Sequence, residues 1–205
     1  AVVSEEAASQ TETAHVPDTF ILVDPLDGTR EFIDGRDEFT VNIALVEGNT
    51  PAAGVIVAPA RGMIWRGWNG LGAERFALSL GGAPLSTTHE PIRTRTQPPT
   101  APRVLISRSH LDSATDAYVD GLPQAQRIPC GSALKFALLA EGSADLYPRL
   151  APTSEWDVAA GHAVLLAAGG DVRKPDRTAL RYGQSDFCVP DFIAFGDATR
   201  PPPLP

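Results

Sequence analysis

Two carboxylates three residues apart, Asp24 and Asp27, stand in the run Phe20-Ile21-Leu22-Val23-Asp24-Pro25-Leu26-Asp27-Gly28-Thr29. Hard cations such as magnesium take oxygen ligands and keep waters in the remaining positions. Two carboxylates and a turn carbonyl, such as that of Leu26, meet that need. The N–H groups of Gly28 and Thr29 precede a short helix expected over Arg30 to Ile33, and they favour an anion in the same space. The chemistry implied is a metal ion beside a phosphate. The same residues also suit a plain turn, since Pro25 favours one and Asp27 is a fit helix cap. A hairpin on Asp27-Gly28 is the weaker alternative, because Pro25 and Arg30-Glu31 break strand alternation.

Further candidates lie along the chain. Asp157 follows Ser154 by three residues, the spacing of a capping box, and an acid in a first helical turn suits the dipole. At that helix start it could also supply a third carboxylate to Asp24 and Asp27. Glu5 and Glu6 read as a solvated pair unless their strand ends beside Asp24. Ser132 is a plausible N-cap, and Lys135 one turn on reads as a surface charge. A cation in a first turn opposes the dipole, however, which hints at an anionic ligand. Arg149, after Tyr147-Pro148, reads as a surface ion pair. His110 follows Ser107-Arg108-Ser109 in a loop, and His162 lies in an apolar helix and reads as a core histidine. Gly67-Trp68-Asn69-Gly70-Leu71-Gly72 lacks the form and setting of a dinucleotide fingerprint, and there is no Walker loop.

The elements that must position these groups follow from periodicity. Phe20 to Val23, Phe39 to Val46, Ala53 to Ala58, Met63 to Arg66 and Arg75 to Leu80 read as strands, with turns at Glu47 to Pro51 and at Gly67, Gly70 and Gly72. Ala7 to Asp18 reads as a mobile loop. Gly81 to Pro102, holding five prolines, reads as connector with a short strand at Ile92 to Thr94. Beyond it strands and helices alternate: Val104 to Ser107, Ser113 to Gly121, Gln126 to Pro129, Ala133 to Glu141, Ala144 to Leu150 and Glu155 to Ala168. The last helix is apolar nearly all round and belongs between layers. The expected division is an α+β metal-binding domain over 1–100 and an α/β substrate domain over 101–205.

Composition narrows the function. The 205 residues are 43% hydrophobic with a net charge of −8, so a sizeable core is available and nucleic acid as a polymer is not an expected partner. Cys130 and Cys188 are far apart without metal-ligand spacing, which points to a reducing, cytoplasmic setting. No apolar run is long enough for a transmembrane helix, and no signal peptide is legible. The chain opens on an apolar run without a methionine, so further residues are expected before Ala1.

Taken together and in order, Ser4-Glu5-Glu6, Asp24-Pro25-Leu26-Asp27-Gly28-Thr29 and Trp156-Asp157-Val158-Ala159-Ala160-Gly161 resemble the inositol monophosphatase family of metal-dependent phosphatases. Glu31-Phe32, the run Glu38 to Leu45, Ile106 to His110, Gly131 to Phe136, Ala140 to Gly142 and Leu146 to Arg149 bring it nearest the CysQ-type 3′(2′),5′-bisphosphate nucleotidases. The resemblance implies an α/β layered αβαβα sandwich. It implies hydrolysis of the 3′-phosphate of adenosine 3′,5′-bisphosphate to AMP and phosphate, within sulfur assimilation. Glu5, Asp24 and the Leu26 carbonyl would hold one magnesium, and Asp24, Asp27 and Asp157 a second, with a third ion known in the family. Such ions neutralise the phosphate and stabilise the leaving oxygen. Thr29 with Glu5 would orient the water, Gly28 and Thr29 would hold the phosphate through their N–H groups, and His110, Ser132, Lys135 and Arg149 would contact the nucleotide. Lithium inhibition, a homodimer and at most peripheral membrane association also follow from the resemblance. The rival substrate is inositol 1-phosphate, and the rival class a non-catalytic phosphate-binding module. The family begins with helices and a Thr/Ala/Asp motif whose aspartate assists the water; nothing here corresponds to it, so the first domain is expected to be incomplete.

Overall fold

Alternation of buried and more exposed residues builds the first layer. In the computed structural model, which describes residues 1–8, 16–78, 88–95 and 101–203, seven strands lie side by side in chain order. They are β1 (Val2–Ser4), β2 (Thr19–Asp27), β3 (Thr40–Glu47), β4 (Thr50–Ala58), β5 (Met63–Trp68), β6 (Gly72–Ala77) and β7 (Glu90–Ile92). β1 runs parallel to β2, and each later pair is antiparallel. Phe20, Leu22, Ala44, Val46, Ile56 and Trp65 point into the core. Their neighbours point to the opposite face, where Ile43 is 41% exposed, as the two-residue period of a strand requires.

Helices alternate with strands in the second half. β8 (Arg103–Ser107), α3 (Ser113–Asp120), β9 (Gln126–Cys130), α4 (Leu134–Ala140) and β10 (Leu146–Arg149) succeed one another. β8 pairs in parallel with both β9 and β10, so a helix makes each crossover. β12 (Asp171–Arg173) and β14 (Phe192–Phe195) extend this sheet antiparallel in the order β12-β14-β10-β8-β9. A small pair, β11 (Thr153–Ser154) with β13 (Cys188–Val189), leads into α5 (Glu155–Ala168). α4 and α5 lie between the two sheets in one continuous core. α3 covers the far face of the second sheet through Tyr118 and Val119, with Leu122 just beyond the helix. The described elements thus form four successive layers, β-α-β-α, of the αβαβα sandwich.

Two glycines explain how closely α5 approaches the first sheet. Gly54 and Gly67 are cross-strand partners. A side-chain carbon on Gly54 would collide with the Ala160 carbonyl, and one on Gly67 would stand 2.9 Å from the Val164 Cα. The smooth patch lets the helix backbone sit on the strands.

Several boundaries differ from expectation. Gly67 is not at a turn but inside β5 and buried. Pro25 does not end β2, which runs on to Asp27. The helix after Gly28, α2 (Thr29–Ile33), starts one residue earlier, and the strand placed at Ile92 to Thr94 is β7, ending at Ile92. The loop expected over 7–18 and the connector over 81–102 lie largely outside the described residues, as do the final residues of the strand expected over 75–80. β12, β13 and β14 have no expected counterpart. Among the described residues no helix is long and apolar enough to cross a membrane.

Candidate active site

In a regular strand, residues three apart point to opposite faces. Asp24 and Asp27 escape that rule through a bulge. Asp24 pairs with Asn42 and Asp27 with Thr40, so Pro25 and Leu26 together oppose a single residue of β3. The extra residue turns both carboxylates to one side. Pro25, which has no N–H to give a ladder, is suited to such a place. The Leu26 N–H donates to Asp24 Oδ1 at 2.9 Å, and the Thr29 hydroxyl donates to the Leu26 carbonyl at 3.3 Å. Asp27 does not cap α2. The residue before that helix is Gly28, at φ 84°, without a side-chain cap.

The third carboxylate arrives from the other half of the chain. Asp157 sits in the first turn of α5 and completes the capping box, accepting the Ser154 N–H at 3.2 Å and the Thr153 hydroxyl. Its capping role and its nearness to the other acids coexist. Asp24, Asp27 and Asp157 each offer an oxygen within 4.8 Å of the others. Ser4 pairs with Val23, which brings Glu5, first residue of α1 (Glu5–Ala8), beside Asp24. Oxygens this close can share a hard cation with ligand distances near about 2.1 Å after small side-chain adjustments. The donor set, all oxygen, suits magnesium and not a soft metal.

The electrostatics say the same. Burial, then the charges of Asp27, Asp157 and Glu5, push Asp24 up to about 9. Burial and Asp157 raise Asp27 to about 6 against the pull of Lys135, the Ala133 N–H and Asn42. Partial burial and Asp157 raise Glu5 as well. A carboxylate whose folded pKa lies above its unfolded value contributes stability below the unfolded value and loses it as pH rises through the folded one. The chelated protein is therefore expected to lose several degrees of Tm between pH 6 and pH 9, the span between the Asp27 and Asp24 values. Added magnesium should restore more at pH 9 than at pH 6, since it binds the ionised acids. Thermal melts with and without chelator check this.

A cleft of about 260 Å³ opens from these acids. Asp27, Gly28, Thr29, Asp157, His110, Ser132, Lys135 and Arg149 all line it; Asp24, Leu26 and Glu5 stand behind or beside. Lys135 is not a surface charge. It is 3% exposed, donates to the carbonyls of Ser132 (2.7 Å) and Cys130 (3.3 Å), and lies 5.0 Å from the Tyr147 ring centre. Among the described residues Arg149 forms no ion pair; its guanidinium reaches the carbonyls of Ala151 and Pro152. Ser132 is not the N-cap, a place taken by Ala133. It holds a left-handed φ of 46°, a conformation that costs about 1 kcal/mol or more in a residue with a side chain. His110 is exposed at the rim. His162 is a core residue, bonded to the Tyr182 hydroxyl at 2.8 Å and pushed down to about 3 by burial.

Four residues of the site escaped sequence reasoning as site residues. Asp27 Oδ2 accepts from Thr40 Oγ1 (3.4 Å), Asn42 Nδ2 (3.2 Å) and the Ala133 N–H (2.5 Å). Thr40 and Asn42, both buried, thereby hold one oxygen and leave the other for a cation. Glu38 accepts two bonds from Arg108 and one from the Gly131 N–H. Glu31 accepts from Ser109 at 2.6 Å. Polar residues at inward strand positions (Thr40, Asn42) were the available signal, since a buried polar group needs a partner.

Comparison with known proteins follows the same lines. The inositol monophosphatase family model matches residues 1–194. The chain is 41% identical over 192 residues to the 3′(2′),5′-bisphosphate nucleotidase CysQ of Salmonella typhimurium, covering 93% of this chain and 74% of that one. The Escherichia coli K12 protein of that name gives the same figures. Among solved structures, CysQ from Bacteroides thetaiotaomicron superposes with a TM-score of 0.85 at 37% identity, over 98% of this chain and 77% of that one. An inositol monophosphatase from Anabaena gives 0.72 at 26% identity, over 96% and 72%.

Proposed function

The chain belongs to the inositol monophosphatase family, and from that premise we propose that it is a magnesium-dependent phosphatase that removes the 3′-phosphate of adenosine 3′,5′-bisphosphate. The products are AMP and phosphate, and the setting is sulfur assimilation in the cytoplasm. One observation carries the substrate: the carboxylates Asp27 and Asp157 line the same cleft as the basic side chains Lys135, Arg149 and His110. A small polyol phosphate needs fewer cationic partners; a second phosphate needs them.

In this reading Glu5, Asp24 and the Leu26 carbonyl would hold one magnesium, and Asp24, Asp27 and Asp157 another. Magnesium bound there would supply charge to neutralise the phosphate, acidify water and stabilise the leaving oxygen. The chain's own groups do the rest. Thr29, its hydroxyl fixed on the Leu26 carbonyl, and Glu5 orient the attacking water. The N–H groups of Gly28 and Thr29 hold the transferred phosphate at the opening of α2. Lys135 commits two N–H groups to carbonyls and lines the cleft, where with Ser132, Arg149 and His110 it receives the nucleotide. A homodimer belongs to this reading by kinship alone.

Phosphate release from adenosine 3′,5′-bisphosphate and from inositol 1-phosphate, measured side by side with magnesium, tests it. The bisphosphate is expected to have the higher kcat/KM by at least about tenfold, the scale of one lost charge-assisted bond. Preference for inositol phosphate would sink the proposal.

A further inference from the structure

The loop that carries His110 has no secondary structure of its own, yet it is tied to α2 twice. The Ser109 hydroxyl donates to Glu31 Oε1 at 2.6 Å, and Arg30 Nη1 donates back to the Ser109 carbonyl at 3.3 Å. These partners are 78 and 79 residues apart in the chain. Where the loop leaves β8, the His110 N–H donates to Oγ of Ser107, the last residue of that strand, at 3.1 Å. Glu31 is itself immobilised. It is 4% exposed and wedged between two turns of the site. A side-chain carbon on Gly131 would stand 2.7 Å from Glu31 Cγ, and one on Gly28 would stand 3.3 Å from Glu31 Oε2. α2 therefore touches the phosphate-side turn, the turn before Ser132 and the His110 loop at once.

We propose that Ser109 and Glu31 form a positioning latch that sets the Ser107–His110 loop for the nucleoside end of the substrate. The proposal rests on the nucleotidase reading and deepens it. A loop held by a charge-assisted bond to a buried carboxylate is ordered before substrate arrives; without the bond, substrate must order it on binding, and affinity falls. In that reading the reacting phosphate meets Asp24, Asp27, Gly28, Thr29 and Asp157, whereas Ser109 bonds to Glu31 and Arg30. Loss of the latch therefore weakens binding of the nucleotide and leaves the chemical step alone. Neither Ser109 nor Glu31 touches the reacting atoms.

The test is Ser109→Ala, assayed with magnesium on adenosine 3′,5′-bisphosphate and on p-nitrophenyl phosphate, which has no nucleoside. KM for the bisphosphate is expected to rise about tenfold, the scale of one hydrogen bond to a charged group, with kcat unchanged. The kcat/KM for p-nitrophenyl phosphate should stay at the wild-type value, and Tm should hold. Ser109→Thr, which keeps the hydroxyl, should bring KM back. An unmoved bisphosphate KM, or an equal loss on both esters, overturns the latch. Wild-type enzyme that ignores the bisphosphate but cleaves p-nitrophenyl phosphate overturns the nucleotidase reading, and the latch's role with it.

Discussion

Asp24→Asn is expected to cut turnover on the order of a thousandfold or more while the fold stays intact. The loss follows from the acid's position beside the other carboxylates. Asp24 is 1% exposed, and its oxygen lies within 4.8 Å of those of Asp27 and Asp157. Removing one preorganised charge from a dry site that must stabilise phosphate has an effect of that order. The fold survives because the Leu26 N–H donates to Asp24 Oδ1, and an asparagine keeps that oxygen. The substitution also removes repulsion among buried carboxylates, so the Tm of the chelated variant should equal or exceed that of wild type. Its rise on adding magnesium should shrink or vanish. Turnover assays, paired with melts with and without magnesium, check all three. Near-normal turnover would mean that the metal site is assigned wrongly.

Glu38→Ala is expected to lower stability by about 2–3 kcal/mol, roughly 5–10 °C in Tm for a chain of this size. Glu38 takes Arg108 Nε at 2.7 Å and Nη2 at 2.8 Å, and the Gly131 N–H at 2.9 Å. Truncation leaves that buried N–H and a partly buried guanidinium without their acceptor. The Arg108 side chain is 32% exposed, so water recovers part of the cost, which keeps the figure below that of a fully buried pair. Arg108 also donates to the Pro129 carbonyl at 2.7 Å, so the variant should loosen the strand end before Ser132 and Lys135 and lower kcat/KM as well. The bond to Arg108 holds the Glu38 carboxyl below its ordinary range, reinforced by the Gly131 N–H. A depressed carboxylate contributes above its unfolded pKa and loses that contribution as pH falls through the folded one. The deficit of Glu38→Ala should therefore be full at neutral pH and shrink below about pH 4.5, the unfolded value. That sign is opposite to the Asp24 effect. Denaturant melts at neutral and acid pH distinguish the two; a deficit that does not change with pH would show that the pair does not carry it.

Much of the site was legible because its chemistry is written in residue types over short spans. Glu155 to Ala168 was read with its true ends. Ser154 and Asp157 cap its start, and Gly169, at φ 101°, closes it; such signals act over one helical turn. Short apolar and β-branched runs bounded by turn residues located β2 to β5 within a few residues, because such signals are local. The short strands β12 and β14 went unread. Three or four residues carry too little pattern, and their pairing is non-local: β12 pairs with β14, and β14 with the much earlier β10.

By itself, then, the sequence determined which carboxylates, hydroxyls and cations this protein has for handling a phosphate, and the order in which the chain presents them. Tertiary structure decided how they face one another. Asp24 and Asp27 share a side only because a bulge against β3 cancels the alternation of the strand. Asp157 joins them only because α5 packs across that sheet. Lys135 became a buried cation of the cleft only when the β9–α4 turn folded over it. Residues Asp27, Glu31 and Glu38 reach donors of the second sheet's loops some 70 to 106 positions away. No local pattern encodes such partners, because a hydrogen bond is settled by which groups are buried together and not by how far apart they lie in the chain.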